Sequence, residues 1–186
     1  IEHYASRNAL NIEGIGTRIA DLLVEKGLVD KISDLYSLRK EDLIELGPFA
    51  DKAADNLLNE IEKSKEALLP NFIYGLGIPQ VGSHMAQILA ENFDTLENIK
   101  DADREDFENI DGIGPEIAKN IVEFFDTQEN LDVINEIINK GMTLSNPYND
   151  DGSLKGKTFV FTGGLDSYSR SEAKEEVEKR GGKVSS

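Results

Sequence analysis

The sequence predicts a mainly α-helical protein made of four repeated helix–turn–helix units, followed by the beginning of an α/β segment. Two observations support this prediction. Four times a hydrophobic run meets a tight turn and then a helix with an alanine near its start, and these alanines, Ala20, Ala54, Ala86 and Ala118, lie 34, 32 and 32 residues apart. A fixed period of this kind indicates a repeated structural unit. The period stops after Lys140, where Gly, Asn, Asp and Pro become frequent and a strand-like run follows.

The turns of the first and fourth units share the pattern glycine, isoleucine, glycine, at Gly14-Ile15-Gly16 and Gly112-Ile113-Gly114. We expect both glycines to allow positive φ, and the isoleucine to fix the turn to the core. The second glycine begins a helix, so free backbone N–H groups lie where a phosphate could approach. The alanine four residues later leaves room for the preceding helix to cross closely. This is the helix-hairpin-helix pattern, which holds nucleic-acid phosphates without reading bases.

The other two turns depart from the pattern to different degrees. The third turn, Gln80-Val81-Gly82, keeps the second glycine and has glutamine at the first position. The second turn has Pro48-Phe49-Ala50 and lacks both glycines. Because proline has no N–H group and alanine disfavours the left-handed conformation, we predict that the second hairpin is a structural spacer.

The formal net charge of −16 restricts any binding of nucleic acid to local sites, because affinity for phosphates normally comes from clustered Lys and Arg. Basic side chains do follow the hairpins, namely Arg18, Lys52, His84 and Lys119. We expect weak binding by this chain alone, with strength added by a neighbouring domain or partner. The predicted DNA-binding residues are Gly14, Ile15, Gly16, Thr17, Arg18, Val81, Gly82, Ser83, His84, Gly112, Ile113, Gly114 and Lys119.

The composition argues against several other classes of protein. The sequence has no cysteine and only two histidines, His3 and His84, which excludes disulfides and an ordinary zinc site. It shows neither a long apolar run nor a signal peptide, so we expect no membrane partner and a cytoplasmic location. We predict no cofactor, no metal and no catalytic residue within this chain.

Three segments follow from these patterns. Residues 1–140 are predicted to form a tandem helix-hairpin-helix DNA-binding domain, residues 141–153 a linker, and residues 154–186 an incomplete α/β domain. The last segment contains a strand from Lys157 to Thr162, a charged helix that Ser169 opens, and a second strand that begins at Gly182. This order is a β-α-β start.

The order of these parts resembles the C-terminal half of bacterial NAD-dependent DNA ligases. The resemblance rests on the four hairpins, on Gly-Lys-Thr-Phe-Val-Phe-Thr-Gly-Gly-Leu at 156–165, on Ser-Arg-Ser-Glu-Ala-Lys at 169–174 and on Gly-Gly-Lys-Val-Ser at 181–185. It implies that residues 154–186 are the N-terminal part of a truncated BRCT domain. The opening segment, Ile1 to Gly16, also resembles the stretch that follows the four-cysteine zinc module of that family.

The resemblance implies a role in sealing nicks in duplex DNA during replication and repair of DNA damage. Members of the family use NAD to adenylate a lysine, and they require magnesium. The adenylation, OB-fold and zinc modules would precede Ile1, so the resemblance implies that this chain is inactive alone and that NAD, magnesium and zinc belong to the full-length enzyme. Its implied partners are nicked double-stranded DNA and those modules, in the bacterial nucleoid. Thr162 and Gly163 occupy the position of a phosphate pocket in BRCT domains.

Two alternatives remain open at this point. A tandem helix-hairpin-helix module of a DNA-junction-binding or excision-nuclease subunit would share the four hairpins, but it would lack the strand Lys157 to Thr162. A base-excision glycosylase would carry one hairpin rather than four, together with a base pocket next to a catalytic acid or lysine. The acidic candidates for that role, Asp126 and Asp132, have no convincing pocket aromatic nearby in the sequence.

Overall fold

A computed structural model describes residues 1–47, 49–148, 158–161, 173–174, 177 and 183–184. The chain divides into two compact units, Ile1–Asn146 and Pro147–Ser186. The first unit, called the helical unit below, contains α1 (Glu2–Ala5), α2 (Thr17–Glu25), a 3-10 helix (Ile32–Ser37), α3 (Lys40–Glu45), α4 (Asp51–Lys63), β1 (Glu66–Leu68), α5 (Leu69–Gly75), α6 (Ser83–Phe93), α7 (Leu96–Asp101), α8 (Arg104–Glu108), α9 (Pro115–Asp126), α10 (Gln128–Asn139) and β2 (Thr143–Ser145). The predicted fold class, mainly helical with repeated hairpins, is confirmed.

The helix after each hairpin begins at the predicted place. Helices α2, α4, α6 and α9 have N-caps four residues before the repeated alanines, and each alanine N–H donates to the carbonyl oxygen of that N-cap at 2.9–3.0 Å. All four alanines are buried, three of them completely. Helices α3 and α4, α5 and α6, and α8 and α9 contact each other on the two sides of their hairpins. The repeated alanines of the sequence therefore occupy equivalent, buried positions in the four helices.

A short parallel sheet formed by β1 and β2 includes residues that the sequence analysis assigned to a linker. The sequence predicts a linker from residue 141, but Thr143–Ser145 pairs with Glu66–Leu68, which follow the end of α4 at Lys63. The Thr143 N–H donates to the Lys65 carbonyl oxygen at 2.7 Å, and Ala67 is buried. Because this pairing satisfies the backbone of the segment between α4 and α5, the helical unit extends to Asn146 instead of ending at Lys140.

Polar contacts inside the helical unit connect elements that are distant in sequence. The hydroxyl groups of Tyr4 and Tyr36 lie 2.8 Å apart, Tyr36 contacts the Ser64 hydroxyl at 3.2 Å, and Ser64 donates to the Ile61 carbonyl oxygen. Burial raises the pKa of the Tyr4 and Tyr36 hydroxyl groups. These three side chains therefore stay neutral and link α1, the 3-10 helix and the end of α4.

A second polar cluster ties the last helix to the 3-10 helix. Lys31 Nζ and the Ser33 hydroxyl donate to the two carboxylate oxygens of Glu136 in α10, at 2.5 and 2.7 Å. Lys140 Nζ donates to the Ser33 carbonyl oxygen at 2.9 Å. These donors hold the pKa of Glu136 below its ordinary value. The cluster connects segments that lie 103–107 positions apart in the sequence.

The second unit is described at a few positions. Strands β3 (Thr158–Phe159) and β4 (Lys183–Val184) pair in parallel, and Ala173, Lys174 and Val177 between them are helical. This order fits the predicted β-α-β start. Throughout the described residues, no helix is long and apolar enough to cross a membrane.

Candidate nucleic-acid interface

Three of the four hairpins have the same turn geometry. The turn hydrogen bond closes from the N–H of the apolar residue to the carbonyl oxygen three residues before it, namely Ile15 to Ile12 (3.4 Å), Val81 to Ile78 (3.0 Å) and Ile113 to Ile110 (3.0 Å). The residue before the apolar one has positive φ: +99° at Gly14, +64° at Gln80 and +92° at Gly112. These features are those of a type II turn, which requires positive φ at its third residue.

The second glycine of each motif has a different role from the one we predicted. Gly16, Gly82 and Gly114 have φ between −80° and −99° with ψ near 180°, which is extended backbone, so the expectation of positive φ at both glycines is wrong for this position. A Cβ atom added at any of the three would meet no heavy atom within 4 Å. Their glycine character is therefore not required by the packing of the chain itself, and it leaves open space in front of a helix start.

Free backbone donors lie at the same helix starts. The N–H groups of Gly16, Thr17 and Arg18 donate to no acceptor among the described residues, and the same holds for Gly82, Ser83 and His84. The fourth hairpin has one donor fewer because Pro115 has no N–H group. Three adjacent N–H groups at the start of a helix form a site for an anion such as a phosphate.

The apolar residues of the turns anchor the hairpins. Ile15, Val81 and Ile113 are only 5–6% exposed. Their side chains therefore lie in the core, as predicted, and cannot themselves contact a ligand outside. Any part they take in binding is limited to fixing the backbone around them.

The second hairpin differs from the other three. Positive φ occurs at Gly47, one position earlier than in the repeated pattern, and Ala50 is the N-cap of α4 with extended backbone. Phe49 is half-buried, and Pro48 lies outside the described residues. Ala50 therefore places a methyl group where the other hairpins have open space, which supports the prediction of a structural spacer.

The polar side chains near the hairpins have different environments. Arg18, Ser83 and His84 are exposed, and Arg18 forms no ion pair within the described part of the chain. Thr17 donates to Glu2 Oε1 at 2.6 Å, while Lys119 Nζ lies 3.5 Å from Glu123 Oε1 on the same helix. Sequence reasoning did not identify Glu2, because its contact with Thr17 spans fifteen positions and leaves no local pattern.

The hairpins are grouped in two pairs. A Cβ atom at Gly14 would lie 3.4 Å from Leu57 of α4, and one at Gly112 would lie 3.9 Å from Ile88 of α6. The first hairpin therefore contacts the helix that follows the second hairpin, and the fourth contacts the helix that follows the third. The third and fourth hairpins are also joined by polar contacts that the sequence did not reveal, from Gln80 Nε2 to Glu116 Oε1 at 2.7 Å and from Asn120 Nδ2 to the Pro79 carbonyl oxygen at 3.3 Å.

Other predicted and possible sites are limited by what the structure describes. Thr162 and Gly163, the candidate phosphate-binding residues of the α/β segment, lie outside the described residues. Among the residues that are described, no three His, Asp or Glu side chains are placed together to hold a metal ion. The candidate interface of the helical unit therefore consists of hairpin backbone and the side chains around it.

Comparisons with known proteins agree with this architecture. Residues 6–63 match a family model described as a SAM-like helix-hairpin-helix tandem, and residues 71–134 match one described as a helix-hairpin-helix motif. These two ranges coincide with the two hairpin pairs of the structure.

Relatives named DNA ligase match the whole chain. Over 100% of the present chain, the sequence is 49% identical to the DNA ligase of Salinibacter ruber. It is 46% identical to the DNA ligase of Thermoanaerobacter sp. (strain X514) over 99% of the present chain, and 44% identical to that of Halothermothrix orenii over 100% of it. It spans 27–28% of the length of these relatives. With its tandem hairpins, the chain is therefore similar over its full length to a segment of proteins named DNA ligase.

Proposed function

We propose that this chain binds the sugar–phosphate backbone of duplex DNA, without base preference, as part of an NAD-dependent DNA ligase that seals nicks in replication and repair. The observation that carries the proposal is the set of free N–H groups at Gly16–Arg18 and Gly82–His84, each next to an N-cap glycine with open space in front of it. Because a phosphate oxygen accepts hydrogen bonds from several such donors at once, these hairpins suit phosphate and carry no information about the base.

The same proposal explains why an acidic chain can bind DNA locally. Backbone N–H groups and the positive ends of helices attract a phosphate without adding formal charge. The net charge of −16 still opposes the approach of DNA over longer distances, so binding by this chain is weak and falls with salt. In the full-length enzyme, we propose that the adenylation, OB-fold and zinc modules supply the rest of the affinity and hold NAD, magnesium and zinc. Such an enzyme would act at the nucleoid, in the bacterial cytoplasm.

Valine substitutions at the N-cap glycines test the proposal. Gly16→Val, Gly82→Val and Gly114→Val each place a branched side chain at a position where an added Cβ atom meets no heavy atom within 4 Å. We expect each to weaken binding to a nicked duplex by roughly 1–2 kcal/mol, the size of one or two charge-assisted hydrogen bonds. Gly114→Val should have the smallest effect because Pro115 already removes one donor. Ala50→Val is the matched control, since Ala50 is an N-cap of similar backbone geometry that already carries a Cβ atom.

The measurement is an electrophoretic titration of the whole chain against nicked, intact and single-stranded DNA at two salt concentrations. Thermal melting of each variant verifies that it is folded. Folded glycine variants that bind nicked duplex as tightly as the native chain would refute the assignment of the hairpins. Equal affinity for single strands would refute the preference for duplex. In the full-length enzyme, nick sealing at limiting DNA should fall by the same factors as binding.

A further inference from the structure

A polar depression lies between the N-terminal segment and the third hairpin. It has a volume of about 270 Å³ and is lined mainly by Arg7, Asn8, Asn71, Tyr74, Ser83 and Gln87. No carboxylate is among its lining residues, whereas four other depressions in the described surface each include at least two. In a chain with a net charge of −16, a depression without acidic side chains is a place where an anion meets no repulsion at short range.

Arg7 gives this depression its positive charge. Seven other Lys and Arg side chains in the described part of the chain pair with a carboxylate within 4.0 Å, but Arg7 is exposed and pairs with none. The guanidinium group presents several N–H donors in a plane that matches two oxygens of a phosphate. The amide and hydroxyl groups of Asn8, Ser83 and Gln87 provide further donors around it.

The position of the N-terminal segment connects this depression to two of the phosphate-binding hairpins. Glu2 accepts a hydrogen bond from Thr17, in the first turn after the first hairpin, and His3 Nε2 donates to the Tyr74 carbonyl oxygen at 2.7 Å. Ser83 lines the depression and also carries one of the free N–H groups of the third hairpin. Arg7 therefore lies beside the third hairpin, on the segment that also contacts the first.

We infer that Arg7 and this depression, called the Arg7 pocket below, bind a backbone phosphate of the DNA duplex next to the phosphate held by the third hairpin. This inference rests on the proposed function and adds a side-chain contact to one made by the backbone. Arg7 supplies at this place the formal positive charge that the third hairpin lacks, since His84 is its only basic residue in the first turn of α6.

The salt dependence of binding tests this inference with the whole chain and a short nicked duplex. Arg7→Gln should reduce the slope of log Kobs against log salt by about 0.9 in magnitude, the value for one lost phosphate contact, and should weaken binding at low salt by about threefold to tenfold. Lys26→Gln is the matched control, because Lys26 is exposed and forms no ion pair within the described residues. Lys26 is the C-cap of α2, whereas the hairpin lies at the N-terminus of that helix. The substitution removes the same charge and should leave the slope unchanged.

Two further variants separate a phosphate contact from a change in folding. Arg7→Lys should restore most of the slope, because a lysine also neutralises a phosphate. Gln87→Glu leaves Arg7 unmutated but places a carboxylate in the Arg7 pocket, where it would repel a phosphate, so it should weaken binding. Gln87 is an exposed residue of α6. If Gly82→Val weakens binding but Arg7→Gln and Gln87→Glu leave affinity and slope as in the native chain, the Arg7 pocket is not a phosphate site and the proposed function stands. If the native chain does not bind the duplex, both are wrong.

Discussion

Replacing Ala54 by leucine should destabilise the helical unit, because this alanine is fully buried on α4, a helix that contacts α3. Ala54 is fully buried, and its N–H group bonds to the Ala50 carbonyl oxygen at 3.0 Å. Three added carbon atoms must displace neighbouring groups, and overpacking of this kind costs about 1–3 kcal/mol. For a unit of this size each kcal/mol lowers the midpoint of thermal unfolding by about 2–4 °C, so we expect a decrease of about 2–12 °C.

The neighbouring alanine provides the control for this experiment. Ala53 is exposed on the same helix, and leucine is nearly as good a helix former as alanine, so Ala53→Leu should change stability by less than about 0.5 kcal/mol. Thermal unfolding followed by far-ultraviolet circular dichroism compares the two variants directly. Equal midpoints for Ala53→Leu and Ala54→Leu would refute the argument that the repeated alanines are small because helices cross there.

Two further predictions concern the turns and the cluster around Glu136. Gly14→Ser should lower the free energy of unfolding by about 1–3 kcal/mol, because Gly14 has φ of +99°, a conformation that residues with a side chain rarely adopt. Gly16→Ser should cause no loss, because serine is a favoured N-cap in extended backbone. Denaturant titration compares the two variants, and similar losses would contradict the turn geometry. Glu136→Gln should reduce stability near neutral pH and flatten its decline in acid. The pKa of Glu136 in the folded chain lies below the ordinary value of 4.5, so its contribution is complete above 4.5 and is lost as pH falls through the lowered pKa. Urea unfolding across this range measures the effect, with Glu91→Gln as an exposed control without a partner in the described residues, and the same acid response in both variants would count against the cluster.

The local parts of the fold could be predicted from sequence, and the contacts between distant segments could not. The alanine period located the helix starts because each N-cap, apolar residue and alanine lie within five or six positions of one another. The left-handed conformation of Gln80 had no such signal, since its side chain bonds to Glu116 of the next hairpin unit. The pairing of Glu66–Leu68 with Thr143–Ser145 was missed because three-residue strands have no periodicity of their own.

In the candidate interface, too, the local features could be predicted from sequence and the contacts between distant segments could not. The free N–H groups of the first and third hairpins follow from the glycine pattern, whereas the Arg7 pocket depends on where the chain places its first residues. Nothing next to Arg7 in the sequence resembles a binding motif. Its significance comes from its position beside Ser83 and from the absence of a carboxylate partner among the described residues, and both are properties of the folded chain.

The short sheet between β1 and β2 has a mechanical consequence. The segment that joins the two hairpin pairs, between α4 and α5, would be the natural hinge of the helical unit, but β2 pairs with its residues Glu66–Leu68. Asn146, directly after β2, donates to the carbonyl oxygens of Ala90 and Asp94 at 2.7 and 2.8 Å, which fastens the same strand to α6. The strand pairing and the Asn146 hydrogen bonds oppose bending of this segment, and so they restrict changes in the spacing of the hairpin pairs. If both pairs hold one duplex, the duplex must adapt its groove width and curvature to the protein, and DNA that a nick has made more pliable adapts at the lowest elastic cost.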